Sequence, residues 1–232
     1  MPATHRDGGG VDAGSLGAAK RKLGVVISVG DSITRGIGGG YQAYTAAQLR
    51  GAGVSLTQDI INDGHPGWQA VKCSLDGVYQ IIEPDFAKWK PDTVLLMIGT
   101  NDFAVDLPGL TLASVGHPEI NCGFNDVIKR VNLLVEKIHQ QRPTAMVFLA
   151  NIPPNLRIPQ TEQASAQYAP QVAALVNRRR AEGDLLIEAV DVYTGFPTST
   201  GLGADHTHPN EAGQQFIGTR FASAIVKWLA AD

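Results

Sequence analysis

The sequence has few cysteines and no excess of basic residues, and both shortages exclude classes of function. Its 232 residues include two cysteines, Cys73 and Cys122, and carry a formal net charge of -3. Two cysteines without a C-x-x-C spacing cannot build a zinc site alone or form a thioredoxin-like redox pair, although a single disulfide between them stays open. The basic run Arg178–Arg180 is confined to one predicted helix end and is typical of a solvated surface, so we expect no nucleic-acid partner.

The sequence also lacks a long apolar run. No stretch is long and apolar enough to span a membrane, which predicts a soluble protein without a membrane partner. Residues 1–22 are rich in Gly, Ala and charge and have no secretory h-region, so we interpret them as a mobile leader before one domain at residues 23–232. The missing h-region does not decide between a cytoplasmic and an exported protein, because a mature exported chain has lost its signal. The oligomeric state also stays open.

Short apolar runs alternate with longer amphipathic segments, which predicts an α/β fold with a parallel sheet and helices on both faces. The predicted strands are residues 23–29, 56–62, 92–98, 145–151 and 185–191. Three connections that follow strands are long and rich in Gly and Pro: residues 103–123, 153–161 and 193–204. Because open α/β sheets bind ligands beyond the carboxyl ends of their strands, we expect the functional site there.

The segment "GDS" places Ser32 where the first predicted strand meets a helix. At such a junction a side chain points out of the carboxyl edge of the sheet, and the N–H groups of the next turn are free to donate. These properties suit a nucleophile, but serine also commonly caps helices at this position. The α/β-hydrolase motif G-x-S-x-G is absent from the sequence.

Two further segments could supply hydrogen-bond donors to a developing negative charge. In "NDGHPGW", Gly64 and Gly67 permit a close approach of a substrate to the backbone. In "GTND", Asn101 offers an amide that stabilises an oxyanion without giving up a proton. Taken alone, the first segment is better explained as a plain strand-to-helix loop, and the second is equally explained as an Asx turn.

The segment "DHTHPNEAG" opens the last predicted helix and contains a candidate acid-base pair. Asp205 and His208 are three residues apart, and in a turn this spacing lets the carboxylate hold the imidazole in one tautomer. His206 competes as the base but points away from Asp205 in such a turn. A metal site that uses His206 lacks the further ligands needed to complete a coordination shell.

Together these four segments resemble the SGNH hydrolase superfamily, also called the GDSL esterases and lipases, from about Leu23 to the end of the chain. The resemblance implies that Ser32 is the nucleophile, that His208 is the general base and that Asp205 is the partner of His208. It implies an oxyanion hole formed by the N–H groups of Ser32 and Gly67 and the side chain of Asn101. It also implies a three-layer sandwich, a five-stranded parallel sheet in flavodoxin-like order 2-1-3-4-5, no metal and no cofactor. The sequence has "GDSIT" in place of "GDSL".

The segments "GHPGW" and "GGGYQAYTAAQLRGAG" look most like the carbohydrate acetyl esterases, such as acetylxylan esterases of carbohydrate esterase family three. The predicted function is therefore hydrolysis of short-chain esters, acetyl esters above all, on a small molecule or a carbohydrate. Arylesterases, thioesterases and acyltransferases of the same superfamily are alternatives, as is a non-catalytic sugar- or nucleotide-binding module. The predicted substrate-binding residues are Asp31, Tyr41, Trp68, Phe103 and Phe196, although the four rings are equally explained as packing residues.

Overall fold

The structure is a computed structural model that describes residues 21–36, 40–103 and 107–231, so residues 1–20 of the predicted leader lie outside it. The strands in this part of the chain are β1 (Val26–Gly30), β2 (Ile61–Gly64), β3 (Thr93–Met97), β4 (Leu107–Leu112), β5 (His117–Cys122), β6 (Met146–Ala150) and β7 (Ile187–Val190). Five of them form a parallel sheet in the order β2-β1-β3-β6-β7. This order confirms the predicted flavodoxin-like sheet.

Helices cover both faces of this sheet. They are α1 (Ser32–Arg35), α2 (Tyr41–Gly51), α3 (Ile82–Trp89), α4 (Val127–Gln141), α5 (Pro159–Ala181), α6 (Thr198–Gly201) and α7 (Glu211–Ala230). In β3, Val94 and Leu96 pack with α3, α4 and α5, whereas Leu95 and Met97 pack with α1, α2 and α7. The alternation of side chains along a strand thus divides the core into two layers. Within the described residues, no helix has the length and apolar character required to cross a membrane.

The second strand lies later in the sequence than predicted. The prediction placed it at residues 56–62, but β2 is Ile61–Gly64, and its residues from Asn62 to Gly64 pair with Ser28–Gly30 of β1. Residues 56–60 are mostly exposed and not in a strand. An edge strand pairs on one side only, so the polar sequence "NDG" is tolerated in β2. Because these residues are polar, the apolar pattern of the sequence did not reveal this strand.

The connection at residues 103–123, in which no strand was predicted from the sequence, contains regular structure. It contains β4 and β5, which pair as an antiparallel two-stranded sheet. Gly, Pro and a register shift interrupt both strands and obscure the alternating pattern that predicts a hairpin. Cys122 at the end of β5 forms a disulfide with Cys73, and the two Cα atoms are 5.8 Å apart.

Removal of this disulfide is expected to destabilise the protein. The bond closes a loop between cysteines 49 residues apart, so its loss releases conformational entropy to the unfolded chain. We expect the double variant Cys73→Ser/Cys122→Ser to lose about 2–4 kcal/mol of unfolding free energy in a urea titration. An unchanged midpoint and slope would show that the bond does not contribute to stability.

Candidate active site

Ser32 lies at the junction between β1 and α1. Gly30, the last residue of β1, lies so close to β3 that an added Cβ would come 2.0 Å from the carbonyl oxygen of Met97. Asp31 caps α1, because its Oδ1 accepts a hydrogen bond of 2.9 Å from the N–H of Ile33. The tight strand and the capped turn therefore fix Ser32 as the first residue of the helix.

The structure brings His208 to Ser32 from the other end of the chain. The Nε2 of His208 is 2.8 Å from the Oγ of Ser32, although the two residues are 176 positions apart in the sequence. The Nδ1 of His208 is 2.5 Å from the Oδ2 of Asp205. His206, which competed with His208 in the sequence, is exposed and has a φ of 56°. A hydroxyl, an imidazole and a carboxylate thus form one hydrogen-bonded chain, the arrangement that activates a serine.

The turn that carries Asp205 and His208 is held at both ends. Asn210 caps α7 by accepting hydrogen bonds from the N–H groups of Ala212 and Gly213. The carbonyl oxygen of His208 accepts a hydrogen bond of 2.7 Å from the N–H of Gly203. These contacts fix the imidazole before any substrate binds.

Asp205 is ionised at neutral pH. Partial burial raises the pKa of this carboxyl, but hydrogen bonds from the side chain and N–H of His208 and from the N–H of Thr207 outweigh it, so the pKa falls to about 2. An anionic partner keeps the proton on the Nδ1 of His208 and leaves the Nε2 free to accept the serine proton.

Two of the three predicted oxyanion donors, Gly67 and Asn101, lie on the loops that follow β2 and β3. An added Cβ on Gly64 would come 2.1 Å from the N atom of Arg35, so the end of β2 lies directly against α1. Gly67 on this loop is exposed and has a φ of 83°, a conformation that favours glycine. The Nδ2 of Asn101 donates a hydrogen bond of 2.9 Å to the carbonyl oxygen of Trp68, which links the two loops. The amide keeps a second N–H for another acceptor.

The predicted substrate-binding residues separate into two groups. Trp68 and Phe103 are partly exposed, and Phe103 lines a cavity of about 530 Å³ beside Asn101. Tyr41 has no exposed surface and stacks on Phe221 of α7, with ring centroids 5.1 Å apart. Phe196 is also buried, in the same core layer. Neither ring leaves surface for a substrate, so we correct the prediction for both residues and assign them to packing.

Asp31 was predicted to bind substrate, and its burial requires a correction here too. Only 1% of its surface is exposed, and burial raises the pKa of its carboxyl to about 6, despite the opposing effects of the Ile33 N–H and the nearby Thr100 hydroxyl. Among the described residues, the Oδ2 of Asp31 is buried and has no hydrogen bond of acceptable distance and angle. Its position assigns it to capping α1.

This burial predicts that Asp31→Asn stabilises the protein in a pH-dependent way. The pKa of Asp31 is about 6 in the folded state and about 3.9 when unfolded, so ionisation costs stability as the pH rises from about 4 to 6 and remains costly above that range. Asparagine keeps the cap without the charge. We expect the variant to gain about 2–3 kcal/mol of unfolding free energy at pH 8 and almost nothing near pH 4 in urea titrations. An equal gain at both pH values would contradict this explanation.

The structure contains a buried ion pair, next to Asn101 in the sequence, that was not predicted from the sequence. Asp102 and Arg130 are both fully buried, and the Nε of Arg130 is 3.0 Å from the Oδ1 of Asp102. The Oδ2 of Asp102 accepts from the N–H of Ala70, and Arg130 also donates to the carbonyl oxygens of Asn121 and Gly123. The pair therefore joins the loops after β2 and β3 to the hairpin.

The sequence held one signal for this pair. Arg130 lies three residues after Val127 and four before Leu134, on the apolar face of α4. A charge at such a position requires a buried partner. Periodicity marks the position but does not identify Asp102 as the partner.

Comparisons with known proteins agree with this fold. The model of the GDSL-like Lipase/Acylhydrolase family matches residues 28–216. A family 3 carbohydrate esterase from Clostridium thermocellum superposes with a TM-score of 0.68 at 23% identity, covering 90% of this chain and 98% of that one. A family 3 carbohydrate esterase from Talaromyces cellulolyticus gives a TM-score of 0.61 at 21% identity, covering 89% of this chain and 98% of that one. A lipase/acylhydrolase from Enterococcus faecalis gives a TM-score of 0.64 at 18% identity, covering 89% of this chain and 97% of that one.

No curated protein matches the sequence. At these identities the structural neighbours establish the shared fold, whereas the family model spans most of the chain, from β1 into α7. The segments that carry Ser32, Gly67, Asn101 and His208 all fall within the matched residues. The resemblance found in the sequence is thereby confirmed, and the chain belongs to the GDSL-like lipase/acylhydrolase family.

Proposed function

We propose that this protein is a serine esterase that hydrolyses short-chain esters, acetyl esters above all, on carbohydrates. The observation that carries the proposal is the hydrogen-bonded chain from Ser32 through His208 to Asp205. A binding module has no need of a hydroxyl held 2.8 Å from an oriented imidazole.

The proposed reaction proceeds through an acyl-enzyme. The Oγ of Ser32 attacks the ester carbonyl carbon while its proton passes to the Nε2 of His208. The oxyanion accepts hydrogen bonds from the N–H groups of Ser32 and Gly67 and from the Asn101 amide. His208 returns the proton to the leaving alcohol as the C–O bond breaks. Water then attacks the acyl-enzyme by the same route and releases the acid and free Ser32.

The cavity beside Asn101 supports a hydroxylated leaving group. Its volume is about 530 Å³. The polar side chains that line it are Thr100, Asn101, Asn155, Arg157, Gln160, Thr161 and Thr207. Phe103 and Phe124 add aromatic surface. Hydrogen-bonding groups next to aromatic faces suit a sugar better than a long alkyl chain. We therefore propose that the cavity holds the sugar part of the ester and that the acyl part is short.

Covalent labelling tests the enzymatic proposal. A fluorophosphonate probe reacts with an activated serine, because the alkoxide attacks phosphorus and displaces fluoride. We expect stoichiometric labelling that peptide mapping assigns to Ser32. An unlabelled protein would support a non-catalytic binding module instead.

A substrate series tests the acyl preference. With p-nitrophenyl acetate, octanoate and palmitate, we expect kcat/KM to fall as the acyl chain lengthens, and we expect acetate release from acetylated xylan. A preference for octanoate or palmitate would contradict the short-acyl proposal and leave the proposed nucleophile in place.

Asn101→Ala is expected to slow the reaction without preventing substrate binding. Removal of one oxyanion donor costs about 2.7–4 kcal/mol of transition-state stabilisation, so kcat for p-nitrophenyl acetate should fall by about 10²- to 10³-fold. Asn132→Ala, on α4, is the matched control and should keep the parent kcat. A tenfold loss or less in the Asn101 variant would remove this residue from the oxyanion hole.

A further inference from the structure

A second cluster of ligating side chains lies on the loop that also carries Gly67. Asp63 belongs to β2, His65 follows that strand, and Asp85 lies in the first turn of α3. One potential ligand atom from each residue lies within 4.8 Å of the other two. The Nε2 of His65 is 2.9 Å from the Oδ1 of Asp63. None of these three side chains takes part in the proposed ester hydrolysis.

One carboxylate oxygen in this cluster lacks a hydrogen-bond donor within the part of the chain that the structure describes. Two carboxylates face one imidazole, with the potential ligand atoms of all three residues close together. The Oδ2 of Asp63 is buried and has no hydrogen-bond partner among the described residues. A buried carboxylate oxygen without a donor is costly, and a bound cation would remove that cost.

The imidazole of His65 is held in place by its neighbours. Its ring stacks on Trp68, with centroids 4.3 Å apart and an interplanar angle of 24°. Its backbone N–H donates a hydrogen bond of 2.8 Å to the carbonyl oxygen of Gly30. A ligand whose ring and backbone are both held loses little freedom when it binds an ion.

We propose that Asp63, His65 and Asp85 bind a zinc ion. Imidazole nitrogen and carboxylate oxygen are both ligands of Zn²⁺, whereas Ca²⁺ takes six to eight oxygen ligands and Mg²⁺ keeps several waters in an octahedron. Three protein ligands leave a fourth position for water. Zinc bonds of about 2.0–2.2 Å would replace the hydrogen bond between His65 and Asp63, and the ligand atoms would rearrange around the ion. This site was not predicted from the sequence, where no metal was expected.

The ion would act as a cross-link and not as a reactant. It would join β2, the loop after it and the first turn of α3, and so brace the segment that leads to Gly67 and Trp68. The cluster and the Ser32 site share this loop but no side chain, so binding of zinc does not depend on ester hydrolysis.

Calorimetry on the metal-free full chain tests the site. The protein is treated with EDTA, dialysed free of chelator and titrated with ZnCl₂, and its metal content is then measured by mass spectrometry. We expect saturable binding of one ion per chain and a higher Tm with zinc present, because a ligand of the folded state stabilises it. Titrations with CaCl₂ and MgCl₂ should show weaker binding.

Ligand variants assign the binding to this cluster. Asp85→Asn and His65→Gln should each weaken zinc binding at least about tenfold, since even outer-shell partners of a metal contribute tenfold or more. His117→Gln is the matched control, because the exposed pair of His117 and Glu119, at 3.0 Å, is an ordinary surface contact. It should bind zinc as the parent does, and circular dichroism should show that all three variants are folded.

Three results would overturn the proposal: no saturable zinc binding, tighter binding of Ca²⁺ than of Zn²⁺, or zinc binding that neither ligand variant weakens. Because the readout is heat and metal content, a failure here leaves the fluorophosphonate result unaffected. Conversely, an unlabelled Ser32 in a protein that binds zinc would refute the esterase alone.

Discussion

Ser32→Ala should lower kcat for p-nitrophenyl acetate by about a millionfold, to the background rate, in a protein that remains folded. The substitution removes the Oγ that forms the covalent bond in the proposed mechanism, so His208 is left without a serine proton to accept. The side chain lies at a capped helix start and only 5% of the residue is exposed, so alanine fits without disturbing the turn. The measurement is the initial rate at saturating substrate, with near-UV circular dichroism and Tm to show that the fold is intact.

Ser55→Ala is the matched control for this variant. Ser55 is exposed and lies before β2, away from the proposed site, so its replacement should leave kcat unchanged. Substantial turnover by the Ser32 variant would refute the proposed acyl-enzyme on Ser32, and if this variant also lost fluorophosphonate labelling, the labelled serine would not be the nucleophile.

Asp205→Asn should lower kcat by about 10³- to 10⁴-fold. The amide presents an N–H to the imidazole and favours the tautomer that carries its proton on Nε2, which cannot accept the proton of Ser32. Because 51% of the Asp205 side chain is exposed, water can partly replace the lost acceptor, which places the effect below that of Ser32→Ala. The rate and KM should be measured with p-nitrophenyl acetate.

Asp59→Asn provides the comparison for the loss of one charge. Its side chain is 96% exposed and pairs with Arg50 on the surface, so kcat should not change. If Asp205→Asn loses less than about tenfold, the orientation of His208 depends on the backbone contacts of its turn and not on the carboxylate.

The sequence predicted the centre of the sheet better than its edge. Every residue of β1, β3 and β6 is buried, so these strands read as continuous apolar runs. At the edge, β2 ends in polar residues that pair on one side only, and its true register depends on its contacts with β1. The hairpin of β4 and β5 depends on pairing and on the bond to Cys73, which no local pattern encodes.

The residues of the proposed site could be predicted from the sequence because they follow local patterns. The spacing of Asp205 and His208 is local, and each of the other segments lies at the carboxyl end of a strand, so the topology of the sheet brings them together. Tyr41 was misassigned because loop proximity does not reveal the direction of a side chain, and this ring points into the layer formed with α7. The pairing of Asp102 with Arg130 is a tertiary contact across 28 positions and required the structure.

The bond between Cys73 and Cys122 makes the stability of this chain depend on its surroundings. In a cytosol kept reducing by glutathione the two residues persist as thiols, whereas an oxidising compartment keeps them joined. The hairpin, whose Asn121 carbonyl accepts a hydrogen bond from Arg130, is covalently tied to the segment after Gly67 only in the second case. Recombinant material from oxidising and reducing hosts should therefore be treated as two preparations of unequal robustness.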